Sequence, residues 1–283
     1  MILRFLPGSP VDLILQDNSF EIDRAILEKK IGINESFFQQ YLAYWTAILD
    51  LSWGSSFADG ENVLSKILRV FPYTLLLSTL SLVFSLFAGV LGGVFIADIS
   101  NKKIRTFFNL FVLLGASFPI IVKAPILIYV FSILLNILPV SGFSTPWHIV
   151  LPCLSMTLSM ACYFIRLTEE SVQSCKKENF VMTAKAKGLG PSMISFKHVL
   201  KNAFFPILAV VGSVYGALLA GTIITESIFN WPGIGRLFYE AFKGRDYSLI
   251  QGIVLWLSIS YIFITFVVDI LYSFFDPRVR LRS

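Results

Sequence analysis

The sequence predicts an all-α protein that crosses a membrane several times. Its 283 residues are 55% apolar and 14% charged, whereas a soluble domain has about 25% charged residues. Five apolar runs are long enough to cross a hydrocarbon core of roughly 30 Å. None shows the alternation of a membrane barrel strand, so we expect helices, which satisfy their own backbone in lipid. The five runs are residues 71–97, 107–137, 147–167, 203–229 and 250–275.

The segment before the first run is predicted to be extracytoplasmic and to cover residues 1–70. Phe38, Tyr41, Trp45 and Leu49 recur in it at helical spacing. The pattern fits a small cap on the outer face, and equally helices that lie in the membrane interface. Residues 71–283 are predicted to form the transmembrane domain.

The start of the chain raises a question of topology. Residues 1–6 are too short for a signal peptide or a span, yet a polar segment of 70 residues follows them. We expect the natural chain to begin earlier, with a first helix that this sequence lacks. The alternative is that the segment crosses the membrane unaided.

The second run is longer than one span needs and contains Pro119 and Pro125. Because proline interrupts helical hydrogen bonding, the run predicts a kinked or tilted helix. Lys123 lies between the two prolines, near the middle of the span. An ionisable residue inside a membrane is a functional candidate.

Basic residues predict the orientation of the spans. Three segments, residues 98–106, 166–202 and 276–283, carry 13 of the 23 Lys and Arg residues. The segments between them carry few. By the positive-inside rule the basic side is cytoplasmic, which places the C-terminus inside.

The longest segment on the predicted cytoplasmic side is the loop of residues 168–202. Gly188 and Gly190 suit the end of one helix, and Pro191 suits the first turn of another. We therefore expect a helix, a break and a second helix. Val181, Ala184 and Gly188 share one face of the first helix, which packs either on the protein's own spans or in a groove of a partner subunit.

The sequence contains no catalytic pattern. It has no P-loop, no zinc-protease motif and no nucleophile elbow, and His148 and His198 lie far apart. We predict no catalytic residues, no metal site and no cofactor. The net charge of +5 marks the membrane topology, so we expect contact with membrane lipid and not with nucleic acid.

Residues 183–188 (TAKAKG) resemble the EAA loop of ABC-importer permeases, in the form found in the dipeptide and oligopeptide branch. Met182 stands where the general motif has Glu, and Thr183 where it has the first Ala. Further stretches match that branch in order over essentially the whole chain. They are residues 7–10 (PGSP), 139–142 (PVSG), 226–236 (ESIFNWPGIGR), 245–247 (RDY) and 276–280 (DPRVR).

The resemblance implies the type I ABC-importer permease fold, with five visible transmembrane helices of the usual six. It also implies a bacterial cytoplasmic membrane location, a second homologous permease, two cytoplasmic ATPase subunits and an extracytoplasmic substrate-binding protein. The loop would be the coupling helix that docks into an ATPase. The residues that match the motif are Thr183, Ala184 and Gly188, with Lys185 and Lys187 as expected contacts at the rim.

Two further residues are candidates for the translocation path or its gate. Lys123 either lines the path and meets acidic groups of a passing ligand, or pairs with an acid on a neighbouring helix or reaches the interface. Glu226 lies near a span end and belongs to a matching motif, so we expect it to shape the outer gate or the subunit interface.

These observations predict a permease subunit that imports peptides by alternating access and has no ATPase of its own. The alternative is the same importer class with murein peptides or a chelated metal such as nickel as the cargo. An ion-driven carrier would need midplane charge pairs and inverted repeats, and neither is clear in the sequence. A scaffold or receptor subunit would need no coupling helix.

Overall fold

The computed structural model describes residues 36–50, 52–190 and 193–275. Within these ranges the chain forms nine α-helices, short 3₁₀- and π-helical turns and one β-bridge, between Ser55 and Asn62. The all-α prediction is confirmed. The expectation about the start of the chain falls on residues outside the described ranges.

The helix predicted from the spaced aromatic residues is α1, Phe37–Leu49. Ser36 begins it, because its hydroxyl accepts a hydrogen bond from the N–H of Gln39 and the Gln39 side chain caps the N–H of Ser36 in return. Phe38, Tyr41 and Trp45 remain exposed.

The first span, α2, extends over Val63–Asp98 and has 36 residues. It begins eight residues before the predicted apolar run, because Pro72 is accommodated inside the helix and the polar turn at its start stays helical. At 1.5 Å per residue it is about 54 Å long, which exceeds the thickness of a hydrocarbon core.

The second predicted run is two helices and not one kinked helix. The first, α3, covers Lys102–Ser117, and the second, α4, covers Ile120–Leu127 and continues as a π-helical turn over Ile128–Leu134. Phe118 and Pro119 are extended, and the chain bends there by 97°. Pro119 accounts for the break, because proline disfavours a helical residue before it.

The remaining elements follow the predicted order. A 3₁₀ turn, Pro146–Ile149, leads into α5, Val150–Cys175, and α6 covers Asn179–Ala186. A π-helical turn, Ile194–Val199, leads into α7, Leu200–Ile228. After it come α8, Ile234–Lys243, and α9, Tyr247–Phe275.

Four of the described helices are long and apolar enough to cross a membrane, and the bent pair of α3 and α4 is a fifth candidate. Their outward faces are apolar, as lipid requires. Examples among the exposed side chains are Phe87 and Phe95 in α2, Phe107 and Phe111 in α3, and Phe263 and Phe266 in α9.

One compact unit comprises residues 1–74 and 232–259. Its described core joins the start of α2 to α8 and the start of α9 through residues such as Val63, Ile67 and Ile253. Asp246 is buried beside this core, where it accepts hydrogen bonds from the Ser56 hydroxyl at 2.5 Å, from the Phe57 N–H at 3.0 Å and from the Leu249 N–H at 3.1 Å. These bonds hold the segment before α2 against the turn between α8 and α9.

Asp59 lies in the same polar segment, outside the span. Lys66 donates a hydrogen bond to its carboxylate and keeps the pKa of Asp59 below the usual value. Since half of the Asp59 side chain is exposed, solvent screens this pair and its contribution to stability is small.

The second compact unit comprises residues 75–231 and 260–283. In it α2 packs closely on α5, because Gly89 and Gly93 present no side chain. A Cβ at Gly89 would lie 2.2 Å from the Cβ of Phe164, and one at Gly93 would lie 2.4 Å from the Cβ of Thr168. Small residues allow such close approach between membrane helices.

This packing predicts that Gly89→Ala destabilises the protein. The new methyl group collides with Phe164, and overpacking of this kind costs about 1–3 kcal/mol. We expect a lower midpoint of thermal unfolding in detergent.

Gly221→Ala is the matched control, because a Cβ there meets no atom within 4 Å and alanine favours the helix. Equal unfolding midpoints for the two variants would show that α2 and α5 do not depend on the close approach.

Candidate functional site

The loop after α5 folds as the sequence predicts, as a helix, a break and a second helical segment. Helix α6 starts after the extended residue Glu178 and ends at Ala186, with Lys187 as its C-cap. Gly188 then adopts a φ of +76°, which a glycine reaches without strain and which reverses the chain after a helix.

One face of α6 packs on the protein's own bundle. Val181 and Ala184 are 2% and 6% exposed, and they belong to one apolar cluster. The other buried members of the cluster are Val94 and Ala97 in α2, Val172 in α5, Ile194 and Val199 in the π-helical turn, and Ala203 in α7. The side chain of Ala184 therefore faces inward, and its contribution to a partner contact can only be indirect.

The opposite face of α6 is exposed. We call it the loop surface and define it by Met182, Thr183, Lys185, Lys187 and Gly188. The Met182 side chain is 68% exposed, and a Cβ at Gly188 would meet no atom within 4 Å. The loop surface thus combines two positive charges, an apolar side chain and open space above a glycine.

Asp98 fixes the loop to the ends of two spans. Its carboxylate lies at the end of α2 and pairs with the Lys176 ammonium group, which also donates to the carbonyl oxygen of Ala97 at 2.9 Å. The Ser195 hydroxyl donates to the same carboxylate at 2.8 Å. Asp98 therefore connects α2, the end of α5 and the segment after α6.

Lys123 lies in the first turn of α4, directly after the 97° bend. Its ammonium group donates a hydrogen bond of 2.7 Å to the hydroxyl of Ser159, near the middle of α5. Among the described residues it forms no ion pair with a carboxylate. The acid on a neighbouring helix, considered from the sequence, is therefore not found in the part of the chain that the structure describes.

Glu226 is fully buried at the end of α7. Its carbonyl oxygen accepts the N–H of Trp231 at 2.9 Å, and Trp231 packs edge-on against Phe143, with ring centroids 5.2 Å apart. The N–H of Gly142 donates to the carbonyl oxygen of Phe229 at 2.9 Å. The end of α7 is thus tied to the segment between α4 and α5.

The structure does not bring the predicted residues into one site. The loop surface and Glu226 lie at opposite ends of α7, whose 29 residues span about 43 Å, and Lys123 lies opposite the middle of α5. Across the described ranges, no three His, Cys, Asp or Glu side chains are placed to hold a metal ion.

Sequence reasoning missed Asp98, Lys176 and Ser195. Asp98 directly follows an apolar run, which is a visible signal. Its pairing with Lys176 was not visible, because 78 residues separate the two in the chain.

Three comparisons with known proteins bear on this arrangement. The sequence profile of the family described as "Binding-protein-dependent transport system inner membrane component" matches residues 89–281. The chain is 34% identical over 288 residues to the probable peptide ABC transporter permease protein y4tP of Sinorhizobium fredii, which covers 99% of this chain and 92% of that protein. It is 32% identical over 285 residues to the glutathione transport system permease protein GsiC of Escherichia coli, with coverage of 100% and 92%.

Solved structures resemble the fold. A structure of the inward-facing MetNI methionine ABC transporter aligns with a TM-score of 0.66 at 17% identity, over 75% of this chain and 96% of that chain. A bacterial ABC transporter that imports the polysaccharide alginate aligns with a TM-score of 0.60 at 14% identity, over 88% and 93%. At these identities the likeness concerns the arrangement of helices.

The contacts of Asp98 predict that Asp98→Ala loosens the loop. Lys176 and Ser195 lose their shared acceptor, so the segments on both sides of Gly188 open more readily. We expect faster amide hydrogen exchange in Asn179–Ala186 and in Ile194–Val199, measured by mass spectrometry.

Glu178→Ala is the control, since Glu178 is an exposed acid of the same loop whose side chain makes no capping bond. If both variants exchange at the same rate, Asp98 does not hold the loop.

Proposed function

Because the chain belongs to the family of binding-protein-dependent transport system inner membrane components, we propose that it is the permease subunit of an ATP-driven importer that carries peptides across the bacterial cytoplasmic membrane. The names of its relatives, a peptide permease and a glutathione permease, support a peptide cargo. Their similarity extends over almost the entire chain.

The observation that carries this proposal is the position of the loop surface on an anchored helix. Val181 and Ala184 join α6 to the apolar cluster, and Asp98 joins the adjoining segments to α2 and α5. A push on the exposed face is therefore transmitted to three spans. A subunit without a P-loop of its own needs such a connection to an external source of energy.

The partners follow from the importer class. We infer a second, homologous permease, two cytoplasmic ATPases that each receive one coupling helix, and an extracytoplasmic binding protein that delivers the cargo. The basic segments, the loop and the C-terminus then face the cytoplasm. ATP binding draws the ATPases together, the loops move with them, the spans open outward, and hydrolysis resets them.

Within this mechanism we assign Thr183, Lys185, Lys187 and Gly188 to the contact with the ATPase, with Ala184 holding α6 from behind. Lys123 belongs to the translocation path, because it stands directly after the break in the second span. Broken helices in transporters line their binding sites. Glu226 keeps the outer end of α7 in place beside Trp231 and thereby shapes the outer gate.

Reversing the charge of the loop surface tests the docking role. Lys185→Glu combined with Lys187→Glu should reduce co-purification of the ATPase at least about tenfold, because like charges placed opposite each other across an interface cost several kcal/mol. The control is Lys102→Glu, which reverses an exposed charge at the start of α3. Equal recovery of the ATPase by both variants would contradict docking at this surface.

Gly188 offers a second test of the same contact. Gly188→Asn introduces a residue that tolerates the left-handed conformation, whereas Gly188→Trp fills the open space above the glycine. We expect the Asn variant to retain the ATPase and the Trp variant to lose it. If the importer stays assembled when it carries Gly188→Trp, this space is not the dock.

Lys123→Met tests the path. Because the charge is expected to meet the cargo, the initial rate of peptide uptake into proteoliposomes should fall about tenfold, with the complex still assembled. Lys123→Arg should retain most of the uptake, and Ile121→Met, a change at an exposed position of the same turn, should have no effect. Uptake that the Met variant leaves unchanged would rule out a path role.

A further inference from the structure

A cleft lies between the middle of α3 and the second half of α5, beside the basic segment of residues 98–106. Its volume is about 490 Å³, which is within the range of about 300–1,000 Å³ found for ligand sites. Six of its eight lining residues are polar. The lining consists of Thr106, Asn109, Leu110 and Leu113 from α3 and of Arg166, Glu169, Glu170 and Gln173 from α5.

The two walls of the cleft have the same helical spacing. On each helix the lining residues stand at positions i, i+3, i+4 and i+7, which place them on one face. The α3 face begins four residues after Lys102, so at 1.5 Å per residue it lies about 6–17 Å along the helix. The α3 wall therefore extends from the predicted cytoplasmic surface into the predicted span, whereas the α5 wall lies at and beyond the end of the predicted run of residues 147–167.

Glu169 is the buried acid of the cleft, with 8% of the residue exposed. Its Oε1 atom accepts hydrogen bonds from the side-chain amides of Asn109 at 3.2 Å and Gln173 at 2.9 Å. Both donors are neutral, and both address the same oxygen. Within the described residues the Oε2 atom receives no hydrogen bond, so it can accept one from an occupant of the cleft.

Asn109 supplies a second acceptor in the same wall. Its Oδ1 atom is buried and has no hydrogen-bond partner among the described residues. Burying an amide oxygen without a partner is unfavourable, because the atom loses its hydrogen bonds to water and gains none in return. An occupant that donates hydrogen bonds would remove this cost at the same time as it meets the Glu169 carboxylate.

The cleft carries both signs of charge. Arg166 and Glu170 line it together with Glu169, and in the described part of the chain Arg166 forms no ion pair with either acid. Lipid does not suit this lining, because its three charged side chains require water or a polar partner. The packed centre of a subunit interface does not suit it either, since charged residues are depleted there.

We propose that this cleft is a binding site for a peptide with free termini on its way to the cytoplasm. The Glu169 carboxylate, with Glu170 beside it, binds the terminal ammonium group, and Arg166 binds the terminal carboxylate. The leucine residues of α3 contact the side chains of the peptide without selecting among them. The assignment rests on the proposed function and deepens it, because it gives this subunit a cargo contact of its own.

The test uses the complete importer in nanodiscs, without the binding protein and without ATP. The probes are radiolabelled trialanine, its N-acetyl form and its C-terminal amide, and the readout is the dissociation constant. Glu169→Gln should weaken the binding of trialanine and of the amide about tenfold, and it should leave the binding of the N-acetyl form unchanged. Arg166→Gln should weaken the binding of trialanine and of the N-acetyl form, again about tenfold, and it should leave the binding of the amide unchanged.

Glu240→Gln is the control. Glu240 is an exposed acid that pairs with Arg236 on the surface of α8, and its loss should alter none of the three constants. The cleft is not a peptide site if the Glu169→Gln and Arg166→Gln variants behave like this control. The same holds if they weaken the binding of all three probes equally. Loss of the second permease from the Glu169→Gln complex also overturns the peptide site, because the cleft would then be a subunit interface.

Uptake of trialanine by the importer with its binding protein is measured in parallel. If wild-type protein takes up no peptide, the proposed function fails and the assignment of the cleft fails with it. If uptake is normal and the selective changes in affinity are missing, only the cleft is overturned.

Discussion

The close packing of α2 on α5 is the contact on which the remaining arrangement depends. Gly89 and Gly93 let the two backbones approach at Phe164 and Thr168. The helices then end side by side, which brings Asp98 to Lys176 and places Val94 and Ala97 beside Val172. The loop with α6 rests on these two helix ends, so its position follows from glycines that lie inside the membrane domain.

Polar groups also determine how α5 contacts the broken second span. Lipid cannot satisfy a buried amide, hydroxyl or charge, and each must therefore meet another polar group or water. Lys123 meets Ser159, and Glu169 meets Asn109 and Gln173. In both places α5 faces one half of the broken second span. The bend at Pro119 separates these contacts into one near the middle of α5 and one near its C-terminal end.

The sequence predicted the number, order and approximate extent of the spans, because long apolar runs leave a chain few alternatives in lipid. It also predicted the helix, the break and the second helix of the loop, since Gly188 permits a positive φ that other residues avoid. The bend at Phe118 and Pro119 was predicted only as a kink, because proline shows where a helix is interrupted and not the angle that neighbouring helices impose. The contact of Glu169 with Asn109 was not predicted, because it joins residues on different helices and the predicted span ended before Glu169.

By itself the sequence determined that this protein is an all-α membrane protein with a basic loop, and that the given sequence contains no P-loop motif. Composition, apolar length and local glycine and proline chemistry suffice for that. The tertiary structure decided which side chains are buried and which are exposed. Ala184 faces inward and Lys185 outward, Glu226 is buried, and Glu169 lies in a cleft together with Asn109. These are contacts between residues far apart in the chain, and they depend on how the helices pack, which no local pattern specifies.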